Sequence, residues 1–214
     1  NGAGIAFLGV SPFIMTLGIQ SVGFGLALYL TGGVPVSGLP AEFGETLGFG
    51  SAFGVPIPVL ATLICIVFFY VLMSRTAMGN HLLAVGGNAK AAALSGVNVK
   101  LSLLVAYLVC ALACSVSGIL LTARLESGES NIGGTVALES IAACVIAGVS
   151  LRGGIGRVEN VVLGAIFIGL VQNGMNLASV GSYLQMVVLG VLLIVAVVSD
   201  QVRHRIIAGE SRWS

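Results

Sequence analysis

Five long runs of this chain carry no charged side chain: Pro12–Leu30, Val55–Met73, Leu101–Thr122, Val161–Val180 and Tyr183–Ser199. A helix needs ~20 mostly apolar residues to cross the hydrocarbon of a bilayer. Each run is close to that length, and polar or glycine-rich stretches separate them. A lipid-exposed span must satisfy its own backbone hydrogen bonds, which favours helices over open sheets. Charge points the same way. Only 8% of the 214 residues are charged, against roughly 25% in soluble domains. Such a chain cannot cover a water-facing surface. The reading is an all-α integral membrane protein: a polytopic helical bundle, one transmembrane domain over residues 1–214.

A sixth stretch, Glu139–Leu151, is apolar but short. Lys/Arg bias decides its path, because short cytoplasmic loops hold the excess of basic residues. With Arg75, Lys90 and Lys100 inside, the loop carrying Glu42 and Glu45 lies outside, and so does the loop carrying Glu126 and Glu129. If the short stretch crosses, Arg152, Arg157 and the basic tail with Arg203, Arg205 and Arg212 fall inside, leaving only Arg124 on the wrong side. That arrangement predicts about six crossings and a cytoplasmic C-terminus. The short stretch is then a broken helix beginning near Gly133–Gly134. Irregular backbone at membrane depth is tolerated only where protein or a wet cavity shields it, so a pathway is expected nearby.

Several function classes are excluded. The net charge is +1, and no basic patch with interleaved aromatics marks a nucleic-acid partner. Cys65, Cys110, Cys114 and Cys144 all sit in apolar runs without a CxxC pair, so neither a metal site nor a disulfide framework is indicated. There is no GxxxxGK[ST] phosphate loop, no HExxH and no GxSxG. No catalytic residue, metal or cofactor is expected. His81 and His204 sit near the polar ends of runs and read as interfacial. The chain begins at Asn1 without methionine or a signal-peptide n-region, and is expected to be a fragment or a processed chain.

Between the second and third runs, residues 75–100 form a cytoplasmic segment. Within it Asn88 can cap a short helix, Ala89 to Leu94, by accepting from freed N–H groups of the next turn. Gly96 follows where a left-handed stop needs no Cβ. A helix this short is unstable alone and is expected to dock on a partner through its alanines.

Neutral polar side chains stand in the spans: Thr16, Gln20 and Ser21 in the first, Gln172, Asn173 and Asn176 in the fourth, Gln185 in the last. Thr16 shares a helical face with Gln20, and Gln172 with Asn176. The runs hold no ionisable residue except Glu139 at the edge of the short one, which argues against a proton-driven carrier. Neutral amides and hydroxyls suit a neutral, hydroxyl-rich solute, and Thr16, Gln20, Gln172, Asn173 and Asn176 are the candidate pathway residues. The alternative use of the same groups is helix–helix hydrogen bonding. Ala106, Cys110, Cys114, Gly118 and Thr122 form a small-residue stripe, and Gly164, Gly169 and Gly174 lighten the fourth run. Both features are expected to be close helix contacts.

Four motifs carry a resemblance: PFIMTLG at Pro12–Gly18, LTGGVPVSGLP at Leu30–Pro40, GGNAKAAALSGVN at Gly86–Asn98, and LESIAACVIAGVSLRGGIGRV at Leu138–Val158. In this order and spacing the chain resembles the permease subunits of bacterial ABC importers for ribose, galactose, xylose and related sugars. A broader group with branched-chain amino-acid permeases is also similar. The resemblance runs from about Pro12 to Asp200. It implies an inner-membrane permease, not an enzyme, that moves a monosaccharide inward and represents the C-terminal portion of such a subunit. Implied partners are a separate ATP-binding cassette ATPase, a second permease copy (homo- or heterodimeric), a periplasmic or surface substrate-binding protein, and membrane lipid. It also implies that the 75–100 segment couples to the ATPase through Gly87, Asn88, Ala91, Ala92, Leu94, Ser95 and Gly96. The sequence departs from that family at Ala89, Lys90 and Ala93, where acidic residues and an arginine are usual, and at Glu159 and Asn160. Alternatives are a permease for a branched-chain amino acid, a nucleoside or a sugar-like signal, and, in another class, a channel or a non-transporting assembly subunit.

Overall fold

Pro12 and Pro58 sit in the first turn of two of the long apolar runs, where a missing N–H costs nothing and the fixed φ suits a helix. The structure, a computed structural model, builds helices there. It describes residues 1–130 and 133–210, apart from the side chains of Thr135 and residues 202–210. In chain order come α1 (Gly2–Leu8), α2 (Pro12–Thr31), α3 (Ala41–Phe43), a π-helical turn (Gly44–Gly48), a two-stranded hairpin of β1 (Ser51–Ala52) and β2 (Val55–Pro56), α4 (Ile57–Arg75), α5 (Ala77–Leu94), α6 (Val99–Leu125), α7 (Gly133–Ile146), α8 (Val158–Leu177) and α9 (Ser182–Glu210). Among the described residues, five helices are long and apolar enough to cross a membrane: α2, α4, α6, α8 and residues Ser182–Gln201 of α9. With the shorter apolar α7, this is an all-α, multi-pass membrane protein.

By packing, the chain forms two compact units, Asn1–Ile132 and Gly133–Ser214. In the first, α6 packs against α1, α5 and the π-helical turn. Gly2 of α1 lies against Tyr107 and Leu104 of α6, and Lys100 Nζ stands 5.5 Å from the centre of the Phe7 ring. The turn at Gly44–Gly48 presses on the other end of α6. Gly44 lies beside Glu126 and Gly48 on the backbone of Ala123, which has no exposed surface. Val36 and Gly128 exchange backbone hydrogen bonds of 2.9 Å, and the Thr31 and Ser130 hydroxyls are 3.4 Å apart. The loops after α2 and after α6 are thus joined at one end of the unit. The predicted loop carrying Glu42 and Glu45 is therefore partly helical and pinned. α1 and this turn escape sequence reading because contacts with α6, not local period, hold them.

In the second unit α7 packs on α8 and α9. Ala142, Ala143 and Ile168 are buried at its centre, with Ile146, Leu189 and Leu193 packed around them. α7 starts at the predicted glycines but ends at Ile146, short of Leu151. Gly148, at φ 80°, closes it, with Val149 N donating to Cys144 O and Gly148 N to Val145 O. Only a left-handed residue allows that paired stop. Spanning ~1.5 Å per residue, α7 is shorter than the ~30 Å of a hydrocarbon core. Glu139 consequently lies inside a helix rather than at its edge.

Two packing expectations change. Cys110, Cys114 and Gly118 of the α6 stripe are exposed, so no described helix of this unit covers them. Of the three α8 glycines, only Gly164 makes a close contact, against Ala143 and Ala147 of α7. Gly169 and Gly174 face open space. Of the basic tail, Arg212 and the side chains of Arg203, His204 and Arg205 lie outside the described residues.

Candidate functional site

The predicted pathway residues fall in the two units. Gln172, Asn173 and Asn176 stand on α8; Thr16 and Gln20 stand on α2. The Thr16 hydroxyl donates back to Pro12 O at 2.8 Å, a satisfaction within its own helix that leaves only its lone pairs for a solute. Gln20 is exposed and has no protein partner among the described residues. On α8, Gln172 is half-buried and Asn173 is exposed, again without a protein partner there. Asn176, one turn further, accepts from Gln185 of α9 at 2.9 Å. An uncompensated amide in hydrocarbon costs several kcal/mol, roughly 2–7 by transfer scales. A row of such groups must face something polar.

Gln185, a polar side chain of the last span, is not among the predicted pathway residues, yet it bonds one of them. The signal available was its place in the first turn of the last span, close to Asn176 across a short connection. What it could not supply was the sharp turn of residues 178–181. There Ser179 takes φ 54°, unusual without glycine, while Ser179 N donates to Asn176 O and Val180 N to Met175 O. In the first unit an open, largely apolar cleft of about 370 Å³ runs between α4 and α6, lined by residues that include Ala61, Cys65, Ala113, Ser117 and Arg124. None of the predicted pathway residues lines it.

The segment read as a coupling element is better defined. α5 is continuous from Ala77 except at Asn88, whose φ −155° and ψ 97° break it. Asn88 Oδ1 accepts from Lys90 N at 3.1 Å and Ala91 N at 3.0 Å, so it caps a second short helix of residues 89–94. At its end Gly96, φ 85°, allows Gly96 N to reach Ala93 O and Val97 N to reach Ala92 O, both at 3.0 Å. Gly87, Asn88, Ala91, Leu94, Ser95 and Gly96 are exposed; Leu94 is 92% exposed. Ala92 differs from the others: at 5% exposure it faces the body of the unit. The upstream part of the predicted cytoplasmic segment, residues 77–87, is also helical. Gly79 is buried against the end of α4, where a side chain would meet the Leu72 and Met73 carbonyls.

Among the described residues no group of three or more His, Cys, Asp or Glu could hold a metal ion. The arrangement offers hydrogen bonding and contact surfaces.

The chain is 37% identical over 202 residues to the ribose import permease protein RbsC of Bacillus subtilis, covering 94% of this chain and 63% of that protein. It is 37% identical over 205 residues to the L-arabinose transport system permease protein AraH of Escherichia coli, covering 96% and 62%. It is also 37% identical over 210 residues to the galactose/methyl galactoside import permease protein MglC of Salmonella typhimurium, covering 95% and 62%. The chain thus spans under two thirds of the length of these relatives. No solved structure matches it. Residues 1–197 match the family described as branched-chain amino acid transport system / permease component, and the chain belongs to that family.

Proposed function

We propose that this chain is the membrane-spanning part of an ATP-driven importer and passes a neutral monosaccharide across a bacterial inner membrane. The observation that carries the reading is the pairing of two facts. Its relatives are named as permeases for ribose, L-arabinose and galactose, and its own spans carry partnerless neutral amides at Gln20, Gln172 and Asn173. From Val161 to Ser199 there is no charged residue. A zwitterionic amino acid would need charge compensation in a site of low dielectric, so the amides favour a sugar over the branched-chain amino acids of the family's description.

With no phosphate loop in the chain, energy enters by contact. The helix of residues 89–94, capped by Asn88 and stopped at Gly96, is the surface offered to an ATPase, with Leu94, 92% exposed, on its outer side. A substrate-binding protein and a second permease copy complete the assembly, and the C-terminus lies in the cytoplasm.

The test uses the native host with the gene deleted and then restored. Uptake of labelled D-ribose, L-arabinose and D-galactose is measured, and the tagged permease is purified in mild detergent. Restored uptake of one sugar, with an ATPase co-purifying, is the expected result. A channel or scaffold would purify without an ATPase, and uptake of none of the three would remove the sugar reading.

A further inference from the structure

One side chain ties the last turn of α8 to the first turn of α9. Gln185 Nε2 donates to Asn176 Oδ1 at 2.9 Å and to Val180 O at 2.8 Å. A carbonyl oxygen only accepts, so the nitrogen of Gln185 must face Val180. Both hydrogens of that nitrogen are then committed, and Asn176 must turn its oxygen to the second. The two amides are thereby oriented. Left over are Asn176 Nδ2, with two hydrogens, and Gln185 Oε1, with its lone pairs. Neither atom has a protein partner among the described residues, and neither is enclosed. The turn that presents them holds Ser179 at φ 54°. A non-glycine residue stays there only when its surroundings over-determine it, and the hold of Gln185 on Val180 O is part of that constraint.

We propose that Asn176 and Gln185 form one two-point site for adjacent hydroxyls of a neutral sugar, with Asn176 Nδ2 donating to one oxygen and Gln185 Oε1 accepting from its neighbour. The chemistry selects the ligand class. A hydroxyl both donates and accepts, so neighbouring hydroxyls answer an oriented donor and acceptor set side by side. An apolar solute would leave both amides unsatisfied, and an ion would find no opposite charge between Val161 and Ser199. The pair stands at the C-terminal end of α8, the end remote from Arg152 and Arg157. The inference rests on the sugar-permease reading.

The decisive variant is Asn176→Asp, in the full permease and native host. It keeps an oxygen for Gln185 Nε2, so the α8–α9 tie survives, but it removes the donor. Uptake of the transported sugar, chosen from D-ribose, L-arabinose and D-galactose and held below saturation, should fall about tenfold per membrane-inserted permease, the effect of one lost hydrogen bond of ~1.4 kcal/mol. The preference among the three sugars should shift as well. Gln185→Met, which removes acceptor and tie together, should lose at least as much. If the pair is only a structural tie, Asn176→Asp will transport at more than half the wild-type rate with unchanged preference, and the proposal is overturned. Normalising to inserted permease keeps the comparison valid if either variant lowers the yield. If the wild-type chain moves none of the three sugars, the sugar reading fails and this site falls with it.

Discussion

Gly164 differs from Gly169 and Gly174 in one physical respect: the backbone of another helix lies where its side chain would be. A methyl group there would meet the Ala143 carbonyl and the Ala147 side chain. Neither a carbonyl inside a helix nor a neighbouring methyl can swing aside, so α8 and α7 would have to separate. Without a hydrophobic drive between helices in lipid, close packing is what holds them. Gly164→Ala should therefore destabilise the purified permease by about 1–3 kcal/mol, the usual cost of overpacking. Gly169→Ala and Gly174→Ala should be neutral or slightly stabilising, since alanine favours a helix by up to ~1 kcal/mol over glycine. Thermal unfolding in detergent separates the cases, and equal midpoints for the three would refute the assignment. The sequence marks all three glycines alike. What distinguishes them is the point at which α7 crosses, and no local pattern encodes that. Asn88 and Gly96 are the opposite case. Their roles follow from a short amide side chain and a missing Cβ, so cap and stop are both legible residue by residue.

At the scale of elements, the helix of residues 89–94 has an inner and an outer side, and this changes how its proposed coupling role is tested. Ala92 packs inward at 5% exposure, whereas Leu94 stands out at 92%. Ala92→Arg would force a long cation into the unit and should lower the amount of inserted permease. It would then report on folding, not on docking. Leu94→Asp changes only the outer side. It should leave insertion intact while ATPase co-purification and uptake both drop severalfold. Gly96→Val should weaken the same contact less directly, because a left-handed L-residue costs ~1–2 kcal/mol and loosens the stop. An ATPase that stays bound to Leu94→Asp at the wild-type level would reduce the segment to an ordinary connection. The long spans were readable because hydropathy is a local sum. The helix of residues 77–87 was not, because Gly86 and Gly87 look like a break. It forms because α5 docks on α4 and α6, with Val85 buried. The tie between Asn176 and Gln185 was half legible: both amides stood out in apolar runs, but their meeting depends on the turn at Ser179.

For the whole molecule, the pairing of loops bears on topology. Val36 bonds Gly128, and Gly44 and Gly48 lie on the last turn of α6 and the residue after it. These contacts join segments distant in sequence, so hydropathy could not reveal them. They put the C-terminal ends of α2 and α6 at one end of the first unit, as alternating crossings require. Arg75, Lys90 and Lys100 belong to the other end, at the finish of α4, in α5 and at the start of α6. On the charge bias, the proposed orientation puts the basic end in the cytosol. Single cysteines in a permease lacking Cys65, Cys110, Cys114 and Cys144 test this. Glu42 and Glu129 are suitable outer positions because both are exposed. Glu126 is less suitable, since it occupies φ 52° and lies against Gly44. Lys90, exposed on the capped helix, is the inner position. In intact cells an impermeant maleimide should label Glu42→Cys and Glu129→Cys, and should reach Lys90→Cys only after permeabilisation. Labelling of position 90 in intact cells would invert the whole arrangement. The helix proposed to meet the ATPase would then face away from the compartment that holds ATP.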